Sequence, residues 1–333
     1  MRRALFLLCL AAGILSACRS ESRYRVLTGA NHTTYRIQYQ YDRTLDREIE
    51  AAFRRYYHSI NAFDSLSVIS RINRNESTET DSLFRHVFRT AMALSAQTDG
   101  LFDVTCAPLI NLWGFGFQQP GRVTPQAVDS IRAFVGFRKV RLTGNRLVKD
   151  DPRVLLNFSA LGDGTICDLL GGLFDAKGIS NYLIEVGGEV LAKGKNPHGR
   201  NWRVGIVKPR DDLSGAADGE LEQIVQLPER LGLATSGNYR NFYIKDGKKY
   251  AHTINPVTGY PAEQDILSAT IIAEECILAD ACATAFMVLG SDKARALQRN
   301  YPGIDYFIIY TDSLGKYRTE YSAGMKKYLY KPE

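Results

Sequence analysis

The first apolar run, Ala4 to Leu15, sits behind Met1-Arg2-Arg3 and ahead of Ser16-Ala17-Cys18. A basic start, a short apolar stretch and small residues before a cleavage point predict an export signal; a bilayer-spanning helix needs roughly 20 apolar residues. Next, Thr34 to Tyr41 alternates as a strand. Leu45, Ile49, Phe53, Tyr56, Ile60 and Phe63 recur at spacings of four and three, which predicts a helix with one buried face behind a Thr44 or Asp42 cap. A second helix is expected over Ser82 to Ala96. Val154 to Phe158 predicts a short apolar strand that enters Ser159-Ala160-Leu161-Gly162-Asp163-Gly164 and then a leucine-rich helix. Strands are expected at Tyr182 to Leu191, Trp202 to Val207, Ile224 to Leu227, Leu231 to Thr235, Phe242 to Lys245 and Ile266 to Ala273, with a Gly/Asp-rich loop at Arg210 to Gly219. Ala279 to Leu289 reads as a helix, and Asp305 to Tyr321 as a terminal hairpin. Without regular βα alternation the class is α+β: a single bilobed catalytic domain with mixed sheets and flanking helices, behind a lipoprotein signal.

Leu15-Ser16-Ala17-Cys18 resembles the bacterial lipobox, which makes Cys18 the lipidated first residue of the mature chain. The expected division is a signal at 1–17, a lipidated tether at 18–30 and the catalytic domain at 31–333. That predicts an exported protein, lipid-anchored to a bacterial membrane, on the periplasmic side where there are two membranes. With 333 residues, 45% hydrophobic and 23% charged, the composition excludes low-complexity disorder, collagen and coiled coil. The net charge of +6 includes Arg2 and Arg3; the remaining +4, with no Lys/Arg-rich block, gives no reason to expect a nucleic-acid partner. Of six cysteines, Cys9 leaves with the signal and Cys18 carries lipid. Cys106, Cys167, Cys276 and Cys282 lack C-x-x-C spacing and are expected as buried free thiols.

Several segments carry chemistry. Asp280 and Thr284, four apart on a helix, project from one face and offer the hard oxygens that suit Mg²⁺, although the same spacing also serves as a plain polar stripe. Gly162-Asp163-Gly164-Thr165 opens a helix whose N–H groups and dipole favour a phosphate; Asp163 would repel a bare anion unless a metal or a ribose hydroxyl takes its carboxylate. A tight strand-to-helix turn is the other explanation. His252-Thr253-Ile254-Asn255-Pro256-Val257-Thr258-Gly259-Tyr260-Pro261 is a turn fixed by two prolines and a glycine, and it holds His252 either as a general base or as a structural imidazole. Gly187-Gly188 and Ser236-Gly237 suggest backbone approaching a ligand, or tight packing. Phe102-Asp103-x-Thr105 and Leu112-Trp113 supply aromatic walls for a flat ring or for the core. No G-x-S-x-G elbow, H-E-x-x-H pair or Cys/His cluster is present.

In this order, the lipobox, Ser67-x-x-Ser70-x-x-Asn73, Phe102-Asp103-Val104-Thr105, Asn157 to Asp168, Glu185-Val186-Gly187-Gly188-Glu189, Ser236-Gly237-Asn238-Tyr239, His252 to Pro261 and Ala279-Asp280-x-x-x-Thr284-Ala285 resemble the FAD:protein FMN transferase family, also called the ApbE or thiamine-biosynthesis lipoprotein family. The resemblance implies that FMN passes from FAD to a threonine hydroxyl of an acceptor protein, a membrane-associated redox subunit, with release of AMP. It implies Mg²⁺ on Asp280, Thr284 and the Ala160 carbonyl, and His252 as base. Asn31, Phe63, Leu101, Phe102, Asp103, Asn157, Asp163 and the backbone of Thr253 and Ile254 would hold FAD, the substrate. The same residues leave room for an FAD pyrophosphatase, or for a lipoprotein that binds FAD without turnover. Asn157, Asp163, Phe63, Asn255 and Asn31-His32-Thr33 depart from the commoner Asp, Lys, Tyr, Asp and Met-Gly-Thr; they bear on FAD affinity more than on the reaction class.

Overall fold

The computed structural model describes residues 22–119, 121–209, 220–237, 242–245, 248–251 and 253–331. The signal, Cys18, the loop at 210–219, Asn238, Tyr239 and His252 lie outside the described residues.

In chain order the strands are β1 (Arg23–Asn31), β2 (Thr33–Tyr41), β3 (Val140–Thr143), β4 (Arg146–Lys149), β5 (Tyr182–Val186), β6 (Glu189–Lys193), β7 (Trp202–Val207), β8 (Leu221–Leu227), β9 (Leu231–Gly237), β10 (Phe242–Lys245), β11 (Lys248–Ala251), β12 (Ile266–Ala273), β13 (Ile304–Thr311) and β14 (Tyr317–Tyr321). The helices are α1 (Asp46–Ile60), α2 (Val68–Asn73), α3 (Ser82–Gln97), α4 (Ala107–Leu112), α5 (Pro125–Arg132), α6 (Gly162–Ala176) and α7 (Cys276–Asn300). An eight-stranded sheet, ordered β1-β2-β5-β6-β9-β12-β13-β14 with antiparallel pairings, forms the spine. Three two-stranded hairpins, β3–β4, β7–β8 and β10–β11, stand beside it. The α+β class and the flanking helices are as expected.

Strand β12 is buried on both faces and shows how the layers form. Ile271 joins the cluster under α7, with Ala279, Ala283 and Phe286, while its neighbour Ile272 points the other way, among Trp202, Val225 and Phe307. That is the two-residue alternation of a strand covered on both sides. Helix α7 packs on β12, β9 and α6. Its alanines keep the approach close, and Gly232 on β9 has no room for a side chain: a Cβ there would lie 2.5 Å from the Cys276 Cα.

Six sequence expectations are corrected. Residues 23–30, expected as tether, form β1, which pairs residue by residue with β2 across a turn at His32 (φ 58°); an edge strand is held by its ladder and needs no apolar face. The first helix ends at Ile60, and Phe63 is 60% exposed, because Asn61 turns the chain into extended backbone and accepts the Phe63 N–H on Oδ1 at 3.0 Å. Its N-cap is Leu45, whose N–H donates to the Tyr39 hydroxyl at 2.9 Å; neither Thr44 nor Asp42 takes the role. Tyr182 to Leu191 is a hairpin, β5–β6, with Gly187 and Gly188 at positive φ (64° and 110°) forming its two-residue turn. Val154 to Phe158 makes one isolated bridge, Leu155 to Cys106, instead of a strand. The helix expected from Ala279 to Leu289 starts at Cys276, breaks at Gly290 (φ 74°) and resumes to Asn300.

Candidate active site

The site is built where α6 and α7 begin. Asn73, at the end of α2, takes the place of a neighbouring strand: its Nδ2 donates to the Leu156 carbonyl at 2.9 Å and its Oδ1 accepts the Leu156 N–H at 2.8 Å. Ser67 holds α2 itself by accepting the Ser70 N–H at 3.1 Å. The Asn157 N–H then bonds to Val104, and the Asn157 Oδ1 accepts the Ser159 N–H at 2.8 Å, turning the chain through a short 3₁₀ turn (Ser159–Leu161) into α6. Leu161, the N-cap of α6, makes no side-chain cap bond. One first-turn donor is used across the site, from the Gly164 N–H to the Asp280 Oδ2 at 3.0 Å. Gly164 must be glycine, since a Cβ would meet the Cys276 carbonyl at 2.5 Å and the Asp280 Cβ at 2.8 Å.

Asp280 is 7% exposed. Burial, and then the charges of Glu189, Asp163 and Asp168, hold its carboxyl well above the usual range, against the pull of the Gly164 N–H. One turn on, the Thr284 Oγ1 lies 3.4 Å from the Ser236 Oγ of β9. These two side chains and Ala160 meet in a cavity of about 310 Å³. Leu101, Phe102, Asp103, Asn157, Thr253 and Ile254 line it as well, so nine of the residues singled out from sequence converge there. Asp103 is held by its own neighbours. Its carboxylate accepts from the Thr105 N–H and hydroxyl (2.8 and 2.7 Å) and from the Phe137 N–H at 2.6 Å, and burial raises its pKa.

The turn after Ile254 is fastened twice. The Asn255 Oδ1 accepts the N–H groups of Val257 (2.9 Å) and Thr258 (3.1 Å), and the Trp113 Nε1 donates to the Gly259 carbonyl at 2.9 Å. An aspartate oxygen would accept the same two bonds, so the Asn255 departure costs the turn nothing in geometry. His252 lies outside the described residues.

Phe63 and Asp163 line a second cavity of about 290 Å³, which shares Ser159 with the first and includes His32, Thr33, Tyr56 and Tyr57. Asn31 ends β1 immediately before His32. Burial pushes the Asp163 carboxyl up to about 6. The carboxylate occupies the space a Gly187 side chain would need, which explains a glycine there beyond its positive φ. Sequence reasoning placed Tyr56 on the helix's buried face. Its ring does pack against the core there, and its hydroxyl also reaches the second cavity beside Gly162, which a 3.6-residue period cannot show.

Among the described residues no three His, Cys, Asp or Glu side chains gather as a metal cage. Asp280 and Thr284 nevertheless fit a hard cation. Among the described residues this buried carboxylate, set among like charges, has one N–H as its hydrogen-bond partner and no counter-charge, and Mg²⁺ takes few protein oxygens and completes its shell with phosphate and water. Cys106, Cys167, Cys276 and Cys282 are free and buried.

A half-enclosed cavity with aromatic walls, ending on hard oxygens beside a helix N-terminus, has the shape and chemistry that suit a phosphate-bearing ligand with flat rings. The chain belongs to the ApbE family, whose model matches residues 32–308. It is 32% identical to the FAD:protein FMN transferase of Vibrio cholerae over 296 residues, 85% of this chain and 87% of the relative. Against the Escherichia coli protein of the same name the identity is 34% over 279 residues, 81% and 77% of the two chains. Among solved structures, the flavin transferase ApbE from Vibrio cholerae superposes with a TM-score of 0.82 at 30% identity, covering 92% of this chain and all of that one. The apo flavinyl transferase ApbE of Pseudomonas stutzeri gives 0.80 at 30% identity, over 92% and 97%.

Proposed function

We propose that this chain transfers FMN from FAD to the threonine hydroxyl of an acceptor protein, using Mg²⁺ and releasing AMP. The observation that carries the reading is the Asp280–Thr284–Ala160 corner of the cavity, where a buried carboxylate with no counter-charge among the described residues meets a hydroxyl beside the start of α6. The relatives' shared name supports the reaction class.

In the reaction the phosphoanhydride bond of FAD breaks, the threonine oxygen bonds to the FMN phosphorus, and AMP leaves with the other phosphate. Asp280, Thr284 and the Ala160 carbonyl would hold Mg²⁺, which, when bound, stabilises charge on the pyrophosphate. Leu101, Phe102 and Ile254 exclude water from the rings. Asn157 and Asp103 shape the polar rim, while Phe63 and Asp163 border the adjoining cavity. His252 takes the proton of the acceptor threonine, a role resting on its place in the His-x-x-Asn-Pro turn, whose next two residues line the cavity. The proposed setting is a lipoprotein anchored through Cys18 outside the cytoplasmic membrane, acting on a membrane redox subunit.

The test incubates the mature chain, with Cys18 replaced, with FAD, Mg²⁺ and a threonine-bearing acceptor subunit, and follows the acceptor mass together with AMP. An FMN-sized gain matched by AMP is expected. AMP with free FMN would instead make the protein an FAD pyrophosphatase, and FAD left whole would make it a binding protein. Asp280→Ala is expected to abolish Mg²⁺-dependent turnover; full activity in that variant would refute the metal site.

A further inference from the structure

We propose that Asp168 is a positioning residue for the proposed metal site, holding Asp280 and Thr284 in place by capping the helix that carries them. The inference rests on the Mg²⁺ reading above.

A helix leaves its first N–H groups without intrahelical partners, and buried orphans are costly. Glu275, the N-cap of α7, makes no side-chain cap bond. Asp168, from the middle of α6, supplies it across the interface: its Oδ1 accepts the Cys276 N–H at 3.0 Å and its Oδ2 the Ile277 N–H at 2.8 Å. The reverse contact lies one turn away. Gly164, four residues before Asp168, donates its N–H to Asp280, four residues after Cys276. Each helix therefore gives first-turn donors to a carboxylate of the other, and the three bonds close a ring around the α6–α7 contact.

Two further features fix this ring. Gly164 and Gly232 leave no space between their backbones and Cys276, so α7 cannot slide without a clash. On the outer side Arg230 bonds to Asp175 (3.1 Å) and to the Glu274 carbonyl (3.0 Å), with its guanidinium 3.8 Å from the Asp168 Oδ1. Asp168 borders a separate small cavity of about 210 Å³ that shares no lining residue with the 310 Å³ one. It therefore makes no contact with the cavity, and its hydrogen bonds reach the site through the helix. Loss of the cap frees the first turn of α7 to fray, and the metal-ligand turn begins one turn further on.

The experiment titrates Mn²⁺, a paramagnetic probe for the site, into the FAD-bound mature chain and reads the bound ion by electron paramagnetic resonance. Asp168→Ala is expected to weaken Mn²⁺ binding about 10- to 100-fold, the usual range for losing a partner that orients a ligand. Asp168→Asn, whose single carbonyl oxygen keeps one of the two bonds, should fall between Ala and the parent. FAD binding without divalent ion, followed by flavin fluorescence, should stay near the parental value in both. Arg295→Ala, which breaks the Glu320 contact at the far end of α7, provides a comparison that lowers stability and leaves Mn²⁺ affinity unchanged. Parental Mn²⁺ affinity in folded Asp168→Ala overturns the proposal; if that variant does not fold, parental affinity in Asp168→Asn does so. A parental protein that binds no Mn²⁺ beside FAD overturns the metal reading itself, and the positioning role with it.

Discussion

Asp163 shows at one residue what the site costs the fold. Its carboxyl titrates near 6 in the folded protein, against about 4 in an open chain, because burial disfavours the charge. The folded state therefore binds the extra proton between those values, and stability falls as pH rises from about 4 to 6, by about 2 to 3 kcal/mol in all. Asp163→Asn, free of that charge, should melt higher than the parent at pH 7 in the absence of FAD and metal. The gap should close near pH 4. Equal melting temperatures at pH 7 would show that the carboxylate is better solvated than its surroundings indicate. Asn255→Asp should leave turnover close to parental, because either side chain offers the oxygen that holds Val257 and Thr258; a large loss in a rate assay would give the Asn255 amide group a role of its own.

Among the elements, the legible ones were those whose order is local. The i, i+4 placement of Asp280 and Thr284 survived because a helix imposes it whatever lies around it. Phe63 kept the rhythm of α1 in sequence but lies past a stop set by Asn61, a polar residue that hydrogen-bonds to its own backbone neighbour. The segment 154–158 looked like a strand because its side chains are apolar. The backbone of its central residue, Leu156, is paired by an amide side chain 83 positions away, which no periodicity can show. Asn73→Ala should therefore cost about 2 to 4 kcal/mol, two buried bonds with both Leu156 groups left unpaired. It should also slow AMP release, since the same segment leads to Ala160. A denaturant midpoint unchanged from the parent would refute that account.

For the molecule as a whole, the cavity draws on residues 101–115, 157–160, 253–256 and 280–288, with the main sheet and three hydrophobic clusters beneath them. A ligand touching all four segments stabilises the native state as a unit. At 100 times its dissociation constant the gain is about 2.7 kcal/mol. FAD with Mg²⁺ should raise the melting temperature by several degrees in a scanning fluorimetry trace, and Asp280→Ala should lose the part of that rise that depends on Mg²⁺. The α+β class could be read from the irregular mixture of strands and helices. The sheet order could not, because it depends on β9 and β12 joining two halves that are far apart in the chain.

That order has a bearing on biosynthesis. The helix at the centre of the largest cluster and the strand it covers lie at 266–300, so a ribosome working from the N-terminus has made four-fifths of the polypeptide before the core can close. The cluster that buries β2 and β5 against α1 and α6 is complete by Leu191 apart from Cys276, so the early strands can pack while the largest cluster still waits. Synthesis therefore proceeds in two stages, and the proposed metal-binding corner is acquired only in the second, once Asp280 and Thr284 have emerged.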